Sequence, residues 1–204
     1  MLEAHDLGAK RGNAWLFAGL RCAVGAGSAL VVTGANGRGK TTLLRMLAGL
    51  SLPETGEIRL DGEPVRAFSP ALRAAVTFAG HAPALKDECS ARENLVALVA
   101  LSGARVDSEE IDAALDRAAL GSRKRLVARV LSQGQRRRVT LARLELSRRR
   151  LWILDEPVTA LDAAGAALLA GLVAAHLERG GAAVVSTHAP LGLPPAHVQS
   201  LSLD

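Results

Sequence analysis

The run GANGRGKTT at residues 34–42 constrains this chain more than any other feature of its sequence. It fits the pattern G-x-x-x-x-G-K-[ST], whose fixed positions are Gly34, Gly39, Lys40 and Thr41. The β-branched run ahead of it, residues 29–33, predicts a buried strand, and the apolar run behind it, residues 43–50, predicts a helix. A glycine-rich turn between a strand and a helix is the setting that a phosphate-binding loop requires.

The residue types in this run suit the binding of phosphate. Glycines allow the backbone to curl with its N–H groups pointing inward, which forms an anion site at the positive end of a helix. The ammonium of Lys40 can reach the β- and γ-phosphates of a nucleotide, and the hydroxyl of Thr41 can bind Mg²⁺. We therefore expect a nucleotide to be bound by the residues of this run, which are Gly34, Ala35, Asn36, Gly37, Arg38, Gly39, Lys40, Thr41 and Thr42.

Length and composition narrow the class of protein. The 204 residues predict one domain, or one domain with a subdomain, and can bury a substantial core. No apolar run reaches the length of a membrane span, and the first residues lack the basic and apolar regions of a secretion signal. Cys22 and Cys89 have no metal-binding or redox spacing, which indicates reduced thiols. The net charge is +5, but two Trp and three Phe offer few stacking platforms, and we expect no nucleic-acid partner.

The apolar pattern predicts strands at both ends of the chain. Residues 2–32 predict an antiparallel sheet, and residues 57–62 and 75–79 predict further short strands. Residues 151–154 form a fully apolar run, and residues 182–186 form a run that is apolar up to Ser186; both runs alternate with helical segments. Such runs are typical of buried parallel strands, so we expect a parallel α/β core.

The middle of the chain has a helical pattern. Ser90 begins a sequence typical of a capping box ahead of an apolar run, and Asp107 opens a second helical segment. These helices separate the early strands from the late ones. We therefore place a helical subdomain at about residues 82–145, inserted in the α/β core of a single domain of residues 1–204.

Two carboxylates, Asp155 and Glu156, follow the apolar run LWIL directly. Ligands bind to α/β sheets at the carboxyl ends of parallel strands, where these side chains are expected. Asp155 is placed to hold Mg²⁺, directly or through water, and Glu156 is placed to polarise a water molecule against a γ-phosphate. Downstream of a phosphate loop, this pair predicts a hydrolytic site.

The sequence LSQGQ at residues 131–135 resembles the signature of the ATP-binding cassette (ABC) ATPases, usually written L-S-G-G-Q. Independently of that resemblance, the serine can cap the next helix, whose free N–H groups then form an anion site. In the ABC family, the signature of one subunit covers the γ-phosphate held by the phosphate loop of its partner. The resemblance thus implies a homodimer and adds to the ATP site the residues Ser132, Gln133, Gly134 and Gln135.

The resemblance also implies a fold, an activity and further site residues. The fold is the α/β phosphate-loop fold of these ATPases, with a mixed sheet core, an antiparallel β subdomain and a helical subdomain. The activity is hydrolysis of ATP to ADP and phosphate with Mg²⁺. Asp162 matches the family's D-loop, which crosses the dimer interface, and His188 matches the switch histidine that contacts the γ-phosphate. The loop at His81 matches the Q-loop, which joins the core to the helical subdomain.

Three positions depart from the usual family pattern. His81 stands where most members have Gln, and an imidazole can still hydrogen-bond a water molecule or a metal-bound oxygen. Arg11 stands where an aromatic residue usually stacks on adenine, and a guanidinium can also stack on a base, with Trp15 as a nearby alternative. The signature itself carries Gln133 in place of its first glycine.

These departures favour one branch of the family. The size of the chain, GHAP at residues 80–83, LWILDEP at 151–157 and TALD at 159–162 are similar to the ATPase subunits of bacterial haem exporters for cytochrome c biogenesis. The similarity covers nearly the whole chain. It implies integral membrane permease subunits as partners, an indirect link to a periplasmic haem chaperone, and a peripheral location at the cytoplasmic face of the inner membrane.

The sequence alone also allows functions other than haem export. A cassette of the same family could serve a transporter for a lipid, a peptide or a metal. A non-transport member could act on DNA or ribosomes, although this chain has neither a long coiled coil nor a second cassette. A small-molecule kinase with a phosphate loop would leave residues 132–135 and 160–162 unexplained.

Overall fold

The computed structural model describes all 204 residues of the chain. The strands are β1 (Leu2–Arg11), β2 (Ala14–Val24), β3 (Ala29–Thr33), β4 (Thr55–Leu60), β5 (Glu63–Val65), β6 (Val76–Ala79), β7 (Leu151–Asp155), β8 (Ala182–Ser186) and β9 (Val198–Ser202). The helices are α1 (Lys40–Leu47), α2 (Pro70–Ala75), α3 (Ala91–Leu101), α4 (Ser108–Arg117), α5 (Gln133–Glu145) and α6 (Ala163–Glu178). None of these helices has both the length and the apolar character needed to cross a membrane.

The residues divide into two compact units. The first unit comprises Met1–Ala79, Arg149–Glu156 and Ala174–Asp204, and it contains both sheets. The second unit comprises Gly80–Arg148 and Pro157–Val173, and it contains α3, α4 and α5. The helical subdomain proposed at residues 82–145 falls within the second unit.

The parallel sheet of the first unit has the strand order β6-β7-β8-β3-β9. Strands β7 and β8 are buried along their whole length, which is why their sequences are apolar without alternation up to their last residues, Asp155 and Ser186. Val32 of β3 and Asp155 of β7 both pair with Ser186 of β8. The carboxyl ends of these three strands therefore meet at one edge of the sheet, where α/β proteins bind ligands.

The antiparallel sheet has the order β2-β1-β4-β5, which confirms the predicted antiparallel sheet for residues 2–24, whereas residues 29–32 lie in β3 of the parallel sheet. Leu7 and Ala9 of β1 are fully buried in the core of the first unit, as alternation along a half-buried strand requires. The parallel and antiparallel strands thus form two separate sheets.

Both cysteines are free, and burial raises the pKa of the Cys22 thiol to about 11.

The helices of the second unit begin at the predicted caps. Ser90 and Asp107 each accept a hydrogen bond from the backbone N–H three residues on, and Glu93 and Glu110 complete the capping boxes. The apolar faces of α3, α4 and α5 then pack together around fully buried side chains, which include Leu95, Leu115 and Val139.

Two elements of the first unit have no clear sequence pattern. Ser69 caps the short helix α2, and α2 includes Ala75, where a strand was predicted. Strand β9 joins the sheet through hydrogen bonds to β3, although three of its five residues are polar. Its place at the sheet edge removes the need for an apolar sequence, so periodicity alone cannot find it.

One histidine of the first unit is built into the core. The ring of His176 stacks on the indole of Trp152 with 4.0 Å between the ring centroids, and its Nε2 lies 3.2 Å from the carbonyl oxygen of Ala182. A Cβ atom at Gly181 would lie 2.4 Å from this ring, so glycine is required there. Burial lowers the pKa of His176 below its usual range. The hydrogen bond to Ala182 raises the pKa, but by less than burial lowers it.

This burial predicts a pH dependence of stability. The unfolded chain binds a proton at His176 more readily than the folded chain, so the contribution of this ring to folding is complete above about pH 6.5 and is lost as the pH falls. His176→Phe keeps an aromatic ring on Trp152 but cannot be protonated. We expect the difference in unfolding free energy between wild type and variant to shrink from pH 8 to pH 5 in urea titrations. Leu177→Ala, at a neighbouring buried position, should cost about 2–5 kcal/mol at both pH values. A constant difference for His176→Phe would contradict the prediction.

Candidate nucleotide-binding site

The phosphate loop leads from β3 directly into α1. Gly34 and Gly39 have φ angles of 134° and 95°, which side chains disfavour, and Gly39 immediately precedes the first residue of the helix. A Cβ atom at Gly39 would also come within 3.1 Å of the Phe17 ring. These glycines therefore set the curvature of the loop and leave the N-terminus of α1 facing it.

Lys40 lies across the loop rather than in solvent. Only 7% of Lys40 is exposed, and its Nζ donates to the carbonyl oxygens of Gly34 at 2.7 Å and Ala35 at 3.3 Å. The same Nζ lies 3.1 Å from Nε2 of His188. The loop thus holds a nearly buried positive charge, which costs desolvation energy and favours an anionic ligand.

Asp155 joins three elements at the edge of the parallel sheet. Its carboxyl group is almost fully buried, with 1% of the residue exposed. Thr41 donates to Oδ2 at 2.8 Å from the start of α1, and Ser186 donates to Oδ1 at 2.7 Å from the end of β8. Hydrogen bonds to both oxygens stabilise this buried carboxylate, and they place the Thr41 hydroxyl beside it.

Glu156 turns away from strand β7 at the same edge. Its φ angle of 48° lies in the left-handed region, and its backbone N–H donates to the hydroxyl of Ser186 at 2.9 Å. Its Oε1 lies 3.3 Å from Nε2 of His188, and the same nitrogen lies 3.2 Å from Oδ1 of Asn36. His188 therefore stands between the phosphate loop and Glu156, where its hydrogen-bonding partner depends on which ring nitrogen carries the proton.

The last strand also reaches the phosphate loop. Asp204 accepts a hydrogen bond at 2.9 Å from the backbone N–H of Ala35, and Ser202 donates to its other oxygen at 3.2 Å. The Ala35 amide, the Ser202 hydroxyl and the charges of Arg38 and Lys40 hold the pKa of Asp204 below its usual range. This contact brings a carboxylate of residue 204 to a loop that is 169 residues away in sequence.

In the second unit, the signature residues form the start of α5. The Ser132 hydroxyl caps the helix by accepting a hydrogen bond from the N–H of Gln135. In turn, Oε1 of Gln135 accepts a hydrogen bond from the N–H of Ser132 at 3.0 Å. Gly134 packs against the D-loop, since a Cβ atom there would lie 2.8 Å from the carbonyl oxygen of Ala160. The second glycine of the signature is thus required by packing, whereas the first position accommodates Gln133.

Asp162 is held by the same helix. Arg138 donates to its Oδ1 at 2.6 Å, and the N–H of Gly165 at the start of α6 donates to the same oxygen at 2.9 Å. The Gly165 amide and then the Arg138 guanidinium hold the pKa of Asp162 below its usual range. Two hydrogen bonds therefore link this exposed carboxylate to α5 and to the start of α6.

The loop at His81 is attached to α5 through its backbone. Arg137 donates from Nη1 to the carbonyl oxygen of Gly80 at 3.0 Å and from Nη2 to the carbonyl oxygen of His81. The His81 residue itself is exposed.

The adenine-stacking candidates lie on the hairpin of β1 and β2. Arg11 is exposed at the end of β1 and pairs with Ala14 across the turn. Trp15 is 49% exposed, and the ammonium of Lys10 lies 4.4 Å from the centre of its ring. The side chain of Trp15 packs over Gly8 on the sheet surface rather than in the core.

The expected site residues therefore fall into two groups, each described within its own unit. In the first unit the structure brings together the phosphate loop, Asp155, Glu156 and His188. In the second unit, α5 contacts the signature, D-loop and His81 segments. Sequence reasoning missed Ser186 and Asp204, whose contacts depend on strand pairing that no local motif reports.

Comparison with known proteins identifies the protein family to which this chain belongs. Residues 17–159, well over half of the chain, match the family model for the ABC transporter. A Pyrococcus furiosus protein of known structure, described as an ABC transporter ATP-binding protein, is similar with a TM-score of 0.83 and 26% identity. The match covers 98% of this chain and 96% of that one. The phosphate loop and the signature thus belong to an ABC ATPase domain.

Two curated relatives narrow the class further. A protein of Nitrosospira multiformis is 46% identical over 99% of this chain and 98% of its own length, and one of Dechloromonas aromatica is 45% identical over the full length of both. Both are named cytochrome c biogenesis ATP-binding export protein CcmA. The chain belongs to the CcmA family of ABC ATPases.

The contacts of Asp155 make a testable prediction. Ser186→Ala removes the donor to Asp155 Oδ1 at a fully buried position, together with one of the two acceptors of the Glu156 N–H, which keeps its bond to the carbonyl oxygen of residue 186. We expect the free energy of unfolding in urea to fall by about 1–3 kcal/mol, because a buried carboxylate loses a hydrogen bond. Ser200→Ala, at an exposed position of β9, should stay within about 0.5 kcal/mol of wild type. Equal stability of the two variants would show that the Ser186 contact is not stabilising.

Proposed function

We propose that this chain is the ATP-hydrolysing subunit of a bacterial haem exporter that acts in cytochrome c biogenesis. The observation that carries the ATPase activity is the contact between Thr41 and Asp155 beside Lys40. It combines a phosphate-binding cation with two oxygen groups at the edge of the sheet. The names and the full-length similarity of the relatives support the role in cytochrome c biogenesis.

The reaction is the attack of water on the γ-phosphate of ATP, which releases ADP and phosphate. The loop N–H groups and Lys40 bind and orient the phosphates, and His188 contacts the γ-phosphate from its position 3.1 Å from the lysine. The Glu156 carboxylate lies next to His188, and therefore near the γ-phosphate that His188 contacts. From this position Glu156 orients the attacking water and accepts its proton. We propose that the Arg11 guanidinium stacks on adenine, with Trp15 as the alternative platform.

Thr41 and Asp155 fit a magnesium ion. Their oxygens lie 2.8 Å apart, and hydroxyl and carboxylate oxygens are the donors that Mg²⁺ prefers when it also binds nucleotide phosphates. When bound, the ion supplies positive charge that neutralises the phosphate oxygens. The Ser186 hydrogen bond keeps Asp155 oriented for this role.

ABC ATPase domains work as dimers with membrane components, and we propose that this chain forms a homodimer. Each ATP would be held by the phosphate loop of one copy and by residues 132–135 of the other. The capped N-terminus of α5 supports this role, because it presents backbone N–H groups and a positive helix end to an anion. Asp162 contributes from the D-loop, and His81 links ATP binding to motion of the helical subdomain.

The membrane partner proposed for this dimer is the permease subunit of the haem exporter. ATP-driven closing and opening of the dimer would move the permease, and its work would support delivery of haem to the periplasmic haem chaperone. The dimer would then be a peripheral component at the cytoplasmic face of the inner membrane.

The test is haem staining of c-type cytochromes in cells whose only copy of the gene carries Glu156→Gln. We expect the stained bands to be lost, because the exporter cannot turn over ATP, and to return with the wild-type gene. Glu178→Gln, at an exposed position of α6, is the matched control and should leave the bands normal. Normal bands in cells that accumulate the Glu156→Gln protein would reject the role in cytochrome c biogenesis.

A further inference from the structure

One arginine in α5 is placed unusually for a charged side chain. Arg137 is only 4% exposed, yet its guanidinium donates to the carbonyl oxygens of Gly80 and His81. Burying a guanidinium is costly unless its N–H groups are well bonded. A buried charge directed at loop backbone indicates that the position of the loop matters.

The two carbonyl groups belong to the peptides on either side of the His81 Cα atom. Fixing both peptides limits the φ and ψ angles of His81, and thereby the direction of its Cα–Cβ bond. The planar guanidinium holds two acceptors in one fixed geometry, whereas a lysine ammonium binds them as a point charge. Arg137 therefore fixes the direction in which the His81 side chain leaves the backbone.

The far end of this loop is attached separately. Asn94, which is buried on α3, accepts from the N–H of Lys86 at 2.7 Å and donates to the Lys86 carbonyl oxygen at 3.0 Å. The attachment at His81 thus depends on Arg137, and the attachment at Lys86 depends on α3. A change at Arg137 should loosen only the part of the loop that carries the histidine.

Helix α5 also holds the other loops of the second unit. The signature begins the helix at Ser132, and the residue after Arg137 is Arg138, which holds Asp162. Successive arginines thus attach the loop at His81 and the D-loop to the signature helix. Any displacement of the helix N-terminus by bound ATP is carried to both loops, because the helix is rigid over these few residues.

We propose that Arg137 is a positioning residue for ATP hydrolysis, which fixes the His81 loop to the signature helix so that the two respond to ATP together. The proposal rests on the proposed ATPase function, since the coupling has an effect only during turnover. In this role Arg137 acts through His81 and does not contact the nucleotide.

The first measurement is the NMR order parameter of the backbone amides in the full-length protein, without ATP. Arg137→Lys keeps the charge but loses the fork that holds the two carbonyl oxygens, and we expect the order parameters of residues 80–82 to fall from about 0.85 to below about 0.6. The matched control is Arg136→Lys, because Arg136 is also largely buried on α5 but pairs with Asp87 and the carbonyl of Ala128. Unchanged order parameters at residues 80–82 in Arg137→Lys would overturn the proposal.

The second measurement is ATP hydrolysis by the complex with its membrane partner. We expect Arg137→Lys to lower kcat about tenfold with less than about a twofold change in KM, since the phosphate loop is intact. In a His81→Ala background the same substitution should lower kcat less than about twofold, because its effect passes through that side chain. An equal factor in both backgrounds, or an unchanged kcat in Arg137→Lys, would overturn the proposal.

The two measurements separate this proposal from the proposed function. If the wild-type complex does not hydrolyse ATP, the ATPase assignment fails, and the order parameters still decide whether Arg137 holds the loop. If the wild type hydrolyses ATP and the order parameters of the loop are unchanged in Arg137→Lys, the function stands and the positioning role fails.

Discussion

The hydrogen bonds to Asp155 are the interaction on which the rest of the structure depends. A carboxylate with 1% of its residue exposed must be bonded on both oxygens, and Thr41 and Ser186 supply these bonds. This requirement draws the start of α1 and the ends of β7 and β8 to one edge of the parallel sheet. Lys40 then lies across the phosphate loop, and Glu156 and His188 face each other beside it. The nucleotide site is thus a consequence of sheet register and of one buried acid.

The second unit uses the same principle with arginines. Helix α5 begins with the signature and presents Arg137 and Arg138 to two different loops, so that three motifs scattered through the sequence share one helix. Buried, forked hydrogen bonds fix backbone positions more strictly than packing of small loop residues does. The proposed coupling between these motifs therefore rests on hydrogen bonds within a single chain.

The parts of the fold and of the site that the sequence predicts are those that depend on short local patterns. The phosphate loop, strands β3, β7 and β8, and the caps at Ser90, Asp107 and Ser132 follow from short runs whose chemistry is self-contained. Strand β9, the Ser186 contact and the Asp204 contact with Ala35 could not be found this way, because each depends on pairing between distant segments. The departures at Arg11 and His81 were visible in the sequence, but the attachment of His81 through its backbone required the structure.

The most direct test of the nucleotide site is ATP-dependent dimerisation of the purified protein, measured by light scattering together with phosphate release. We expect Glu156→Gln to form a stable dimer with ATP and to hydrolyse it at less than about a hundredth of the wild-type rate, because binding is intact and the water is not activated. Lys40→Ala should neither bind ATP nor dimerise, since the loop loses its cation. A wild-type rate of ATP hydrolysis by Glu156→Gln without an ATP-bound dimer, or unchanged ATP binding by Lys40→Ala, would contradict the roles proposed for Glu156 and Lys40.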